Sequence, residues 1–255
     1  MPWVETESLS FAARHESDQA AEAISVLEQL EGFRERLGEL FDKTPWDVAV
    51  VIHPGPLQLY LAQPWLPVAR IAAAPASRRY FSGWFSSREI HVLSPLVLRR
   101  RASNVPGSLE AILLAPLHEY AHLVVGANNP DLPPPFGLGS FRRYLRWAWL
   151  CEGAATWLSG QAKFLGPAIA RYMHEGGRPR FPPTAGDALL FGGTLFGLLE
   201  REQGRRACAE LATQLHPQGA TAALEQAFGG HRFEIEVEWR RYLTELATRA
   251  PRPVT

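Results

Sequence analysis

His118 and His122 stand four residues apart, with Glu119 directly after the first, in the stretch 116-PLHEYAHLVV-125. On an α-helix, residues i and i+4 lie one turn apart on the same face. Two imidazoles so placed can converge on one cation, and their nitrogens suit zinc at about 2.0–2.1 Å. A catalytic zinc usually keeps three protein ligands and one open position. The neighbouring carboxylate then has a separate use. It can take a proton from a water whose pKa the metal lowers towards ~7. His118 and His122 are thus candidate ligands, and Glu119 is the candidate general base.

Two histidines do not complete such a site. Donors further along the chain include Asp131, Glu152, His174, Glu175 and Asp187. Glu152 stands out by its setting, 149-WLCEGAATWLSG-160. An HExxH motif followed, on a second helix, by a Glu in a W-L-x-E-G-x-A-x-[YW] segment resembles the gluzincin metallopeptidases. The nearest likeness is to bacterial peptidase MA-like domains, relatives of thermolysin and the zinc aminopeptidases. The resemblance covers roughly residues 20–245. It implies one Zn2+ per chain, with Glu152 as third ligand, and hydrolysis of peptide bonds by water with Glu119 as base. It implies a zincin-like α+β fold, a small mixed sheet and a mainly helical second half with the active site between them. In this likeness 88-REIHVL-93 is the edge strand along which an extended peptide or protein substrate lies. The segments 191-FGGTLFGLLEREQG-204 and 228-FGGHRFEIEVEWRRYL-243 look like the family's later helices.

The chain departs from that pattern in two places. The aminopeptidase relatives carry a Tyr before the Gly of the helix that 187–203 resembles; here Leu189, Leu190 and Phe191 precede Gly192. Tyr172 and His174 are then the nearest candidates to stabilise an oxyanion, a role whose loss typically costs ~10²–10³ in rate. Thr156 occupies the position, four after the ligand Glu, where thermolysin-like enzymes place an acidic residue. These gaps leave two alternatives open: a weak or inactive zinc-binding, peptide-binding module, and a zinc hydrolase of a non-peptide amide or ester. Tyr120 is expected to point away from the metal. Cys151, Trp147, Trp149 and Trp157 are expected in the core.

The elements that position these residues follow from hydrophobic spacing. Apolar residues at helical spacing predict a helix over 17–42. The β-branched run 46–52 predicts a buried strand, with weaker strands at Val68–Ala74 and Arg88–Leu93. From 107 onward the pattern is helical: 108–125, one long stretch over 141–162, then 187–203, 205–215 and 231–248. Pro116 places a kink or a helix start near 112–116. The Pro/Gly-rich 128–140 reads as a loop. A single domain over 1–255 is expected, with an α/β subdomain at about 17–126 and a helical one at about 140–250.

Composition narrows the class. At 255 residues and 46% apolar content, the chain can bury a sizeable core. A formal net charge of zero predicts no nucleic-acid partner. No apolar window of about 18 residues predicts a membrane span, and the N-terminus does not read as a secretory signal. Two cysteines make no disulfide framework. The expectation is a cytoplasmic protein with no membrane partner.

Overall fold

Alternation builds the sheet. In β3 (Val48–His53), Val48, Val50 and Ile52 point one way and are fully buried, while Ala49 and Val51 face the other side. The computed structural model describes residues 2–63, 65–72 and 82–249. In it β3 lies at the centre of a five-stranded mixed sheet of order β1-β2-β3-β5-β4. β1 (Trp3–Glu7) and β2 (Phe11–Glu16) form an antiparallel hairpin. β2, β3 and β5 (Glu89–Leu93) run parallel. β4 (Gly83–Phe85) closes the edge, antiparallel to β5.

One face of the sheet is covered by α1 (Ala20–Gly38) and α6 (Ala115–Asn128). α1 presents Ala23, Val26, Leu27, Leu30, Phe33 and Leu37, the stripe its spacing predicts. They share a core with Val50, Ile90, Tyr120 and Val124. The hairpin turn is tied to α1, where the Glu31 carboxylate accepts from Ser8 Oγ (2.7 Å) and Ser10 N (2.6 Å). α2 (Pro56–Ala62) follows β3 and packs on β3 and β5, α3 (Trp65–Ala72) comes next, and α4 (Pro95–Arg101) follows β5.

The second half is helical. α5 (Ser108–Leu113) ends just before α6, and Pro116 lies in the first turn of α6, where a missing N–H costs nothing. α7 (Leu138–Arg146), α8 (Ala148–Leu158), α9 (Gly166–His174), α10 (Ala188–Gln203), α11 (Arg205–Thr213), α12 (Ala220–Phe228) and α13 (Arg232–Arg249) complete it. The 231–248 segment is helical, burying Ile235, Trp239 and Leu243 at i, i+4, i+8. Two glycines fix the α8–α10 approach. A Cβ on Gly153 would lie 2.7 Å from the Gly192 carbonyl carbon, and one on Gly192 would lie 2.6 Å from the Trp149 oxygen.

Four expectations are corrected. Residues 68–72 belong to helix α3, not a strand: Leu66 and Ala69 are its buried pair, three apart, and Pro67 sits in its first turn. Residues 73 and 74 lie outside the described residues. The strand at 89–93 is not an edge, because β3 and β4 pair with it on both sides. The 141–162 stretch is two helices, broken at Trp147 (φ −106°, ψ 22°). The sheet begins at Trp3, ahead of the α/β boundary expected near 17. Among the described residues no helix is long and apolar enough to cross a membrane.

Candidate metal centre

α6 starts one residue after α5 ends, and its first turn is bonded by His118 N to the Leu114 carbonyl (3.0 Å). This sets His118 and His122 on the face turned towards α8 and the β4 edge. Tyr120 points the other way, into the α1 side, and its hydroxyl donates to the Pro45 carbonyl (2.7 Å). Glu152 comes up from α8, whose depth the Gly153–Gly192 contact sets.

The three side chains converge. His118 Nε2 lies 3.1 Å from His122 Nε2 and 3.2 Å from Glu152 Oε2; His122 Nε2 lies 3.4 Å from Glu152 Oε1. All three residues are buried, and their ligating atoms fall within 4.8 Å of one another. A tetrahedral ion with arms of ~2.0–2.1 Å needs donors about 3.3–3.4 Å apart, so the observed triangle fits one. The donor chemistry agrees: two imidazole nitrogens and an anionic carboxylate turned to one point. These residues could hold a metal ion.

Charge in the site is strongly perturbed. Burial alone would raise Glu152, but His122 and His118 outweigh it and hold the carboxyl well below its usual range. Burial would lower His118, yet Glu152 more than offsets it and the imidazole is raised. His122 is lowered by burial despite Glu152. Glu119 is pushed up to about 8, chiefly by burial, with Glu152 adding to it and His118 opposing.

The walls explain the enclosure. Gly83, Trp84, Phe85, Tyr144 and Leu189 line the pocket with the four charged or ligating residues, leaving about 10 Å³, room for roughly a single water or ion. Phe85 stacks on the His122 ring (4.3 Å, 13°). Gly83 is there because the Glu119 carboxylate leaves no space: a Cβ would lie 2.6 Å from Glu119 Oε1. Phe136, from the Pro-rich loop after α6, packs on Trp84, Phe85 and Tyr144, so that loop lies over the aromatic wall.

Comparison with protein-family models, with curated proteins and with solved structures finds no match. The geometry alone therefore carries the reading. It brings together His118, Glu119, His122 and Glu152 as the sequence predicts. It does not bring in Tyr172 or His174. The Tyr172 ring packs edge-on against Phe191 (5.0 Å), and burial and the Asp187 carboxylate raise its pKa. His174 is exposed at the end of α9.

The residue that sequence reasoning missed is Tyr144. Its buried hydroxyl donates a short hydrogen bond to Glu152 Oε1. Eight residues along one helix are about 12 Å apart on the axis, so a continuous 141–162 helix would keep the two apart. The break at Trp147 lets α7 turn back and meet α8. Thr156 is buried in α8, and among the described residues neither its hydroxyl nor Nδ1 of His118, the atom an acid at 156 would have held, has a hydrogen-bond partner.

Proposed function

We propose that the protein is a zinc-dependent hydrolase of peptide bonds, of gluzincin type. The observation that carries this is the buried convergence of His118, His122 and Glu152 with a separate carboxyl, Glu119, facing the same small pocket. A purely structural zinc site is usually closed by four protein ligands and has no need of a fifth, proton-accepting group. His118, His122 and Glu152 would hold the zinc, which supplies Lewis acidity and lowers a water's pKa towards ~7.

The chain's own groups do the rest. Glu119 takes a proton from the attacking water and then passes it to the leaving amine, the adjacent cation favouring its carboxylate form. Tyr144 lines the same pocket and takes the role first looked for in Tyr172 and His174: its one O–H, donated to Glu152 in the unliganded site, would swing to the oxygen that gains negative charge when substrate binds.

The substrate would add to β4 as a further strand. Leu93 N donates to the Ser82 carbonyl (3.0 Å) and Ser86 N to the Glu89 carbonyl (2.8 Å). Along an antiparallel ladder such bonds alternate, so Gly83 and Phe85 turn their N–H and C=O groups to the free side. Gly83 touches Glu119, which puts a bound backbone next to the base.

The test is a peptide-library digest read by mass spectrometry, with zinc content measured in parallel. Glu119→Gln is expected to keep zinc and lose about 10²–10⁴-fold in turnover. Cleavage by Glu119→Gln at the wild-type rate would reject the mechanism.

A further inference from the structure

The zero net charge of the chain conceals a strong imbalance. Residues 48–109 hold seven arginines and a single acid, Glu89. That stretch is formally +6, and the remainder balances it at −6. The same stretch contains α2, α3 and α4, and these helices expose an unusual amount of aliphatic surface. Leu57 and Leu61, one turn apart on α2, are 66% and 76% exposed. Val68 and Ile71 on α3 are 47% and 76% exposed, and Leu96 on α4 is 51% exposed.

Topology gathers these residues. β3 and β5 are parallel neighbours in register His53↔Leu93, and Ser94 N donates to the His53 carbonyl (2.9 Å). α2 and α4 therefore leave the sheet at the same end. Their inner faces are already packed, since Leu59, Leu66 and Leu98 are completely buried. The outer aliphatics are surplus to the core, and the exposed Arg99 and Arg100 stand on the same helix as Leu96.

We propose that α2, α3 and the start of α4 form one face that docks on an anionic lipid surface. Short helices with aliphatic side chains outward lie in the plane of such a surface, with the aliphatics at the headgroup–acyl boundary. Basic residues beside them bind the negative headgroups. A nucleic acid would satisfy the arginines but gives five exposed aliphatics nothing to bury against, so lipid is the better match. The expectation of no membrane partner rested on the lack of a spanning apolar window; a face of this kind docks without crossing. It uses none of the residues of the metal centre.

Sedimentation of the full chain with phosphatidylcholine vesicles, with and without phosphatidylserine, tests it. Binding is expected only with phosphatidylserine, and weaker at high salt. Leu57→Gln/Leu61→Gln and Arg99→Ser/Arg100→Ser should each cut the bound fraction at least about fivefold, with unchanged circular dichroism because all four side chains are exposed. No vesicle binding by the wild type overturns the proposal. So does binding that either double variant leaves unchanged, binding to a DNA duplex but not to vesicles, or dimerisation through the face in place of vesicle binding.

Discussion

Among the described residues two buried histidine pairs stand out, and one of them has the donor geometry that could hold a metal ion. His118 and His122 present Nε2 to Nε2 at 3.1 Å with their rings nearly perpendicular (79°). His53 and His91, on β3 and β5, lie as close (Nε2 to Nδ1, 3.0 Å), but their rings are stacked at 18°. In the first pair both nitrogens aim at one point, where a buried carboxylate also arrives. In the second the nitrogens aim at each other. The nearest acid, Glu89, is half exposed and lies 3.4 Å from the other nitrogen of His91. Histidine type and burial therefore do not make the site. The third donor and the ring orientation do, and helix spacing supplies the orientation where adjacent parallel strands do not.

The contrast can be broken most forcefully at the support of the third donor. Tyr144→Phe should lower turnover by about 10²–10³-fold at saturating zinc and, because Glu152 loses its partner, weaken zinc affinity by about 10–100-fold. Steady-state kinetics beside elemental analysis decides this. An unchanged turnover would remove Tyr144 from the reaction.

The two pairs should also bend the pH–stability curve in opposite directions in metal-stripped protein. Glu119 is raised to about 8 in the folded state, so folding keeps its proton longer than the unfolded chain does. Its contribution is present below its ordinary pKa of 4.5 and is lost as pH rises towards 8. Between pH 5 and 7 the loss is at most roughly 3 kcal/mol, at ~1.36 per unit. Glu119→Gln should flatten that limb in urea titrations. His53 is lowered to about 4, chiefly by burial and then by His91. Its contribution is present at neutral pH and is lost as pH falls from 6.5 through 4. His53→Gln should flatten the acid limb instead. Identical pH profiles for wild type and both variants would refute this opposition.

A smaller effect sharpens what helix packing adds to the metal pair. Gly153→Ala forces α8 from α10, at a cost of about 1–3 kcal/mol by overpacking. Thermal melting should register it, and the shift of Glu152 should weaken zinc binding as well. Melting at the wild-type temperature would show that the contact yields without cost.

Part of this architecture was legible in the sequence for clear reasons. His118, Glu119 and His122 follow from helical period, which is local. Pro116 marked the start of α6 because its ring cannot sit deeper in a helix. Glu152 became visible through its sequence surroundings. Tyr144 did not, because the break at Trp147 is a tertiary event: nothing in 141-FRRYLRWAWLCEG-153 interrupts the helical pattern, and no Gly or Pro marks the turn. β4 was also hidden. Three residues between serines carry too little periodicity, yet they line the site from the sheet edge. The β1–β2 hairpin was missed because FAARHE contains only one large apolar residue. The segment 68–72 was misread because β-branched residues suggest strand while the burial of Leu66 and Ala69, set by packing, makes it a helix.

The central claim is that one histidine pair and not the other holds zinc. Elemental mass spectrometry on protein purified without a metal-affinity column tests it directly, for wild type, Glu152→Ala and His53→Gln/His91→Gln. The account predicts about one zinc per chain in wild type and in the His53/His91 variant, and a strong loss in Glu152→Ala. A wild type that stays free of zinc after reconstitution, or a Glu152→Ala protein that keeps its full complement, would contradict it.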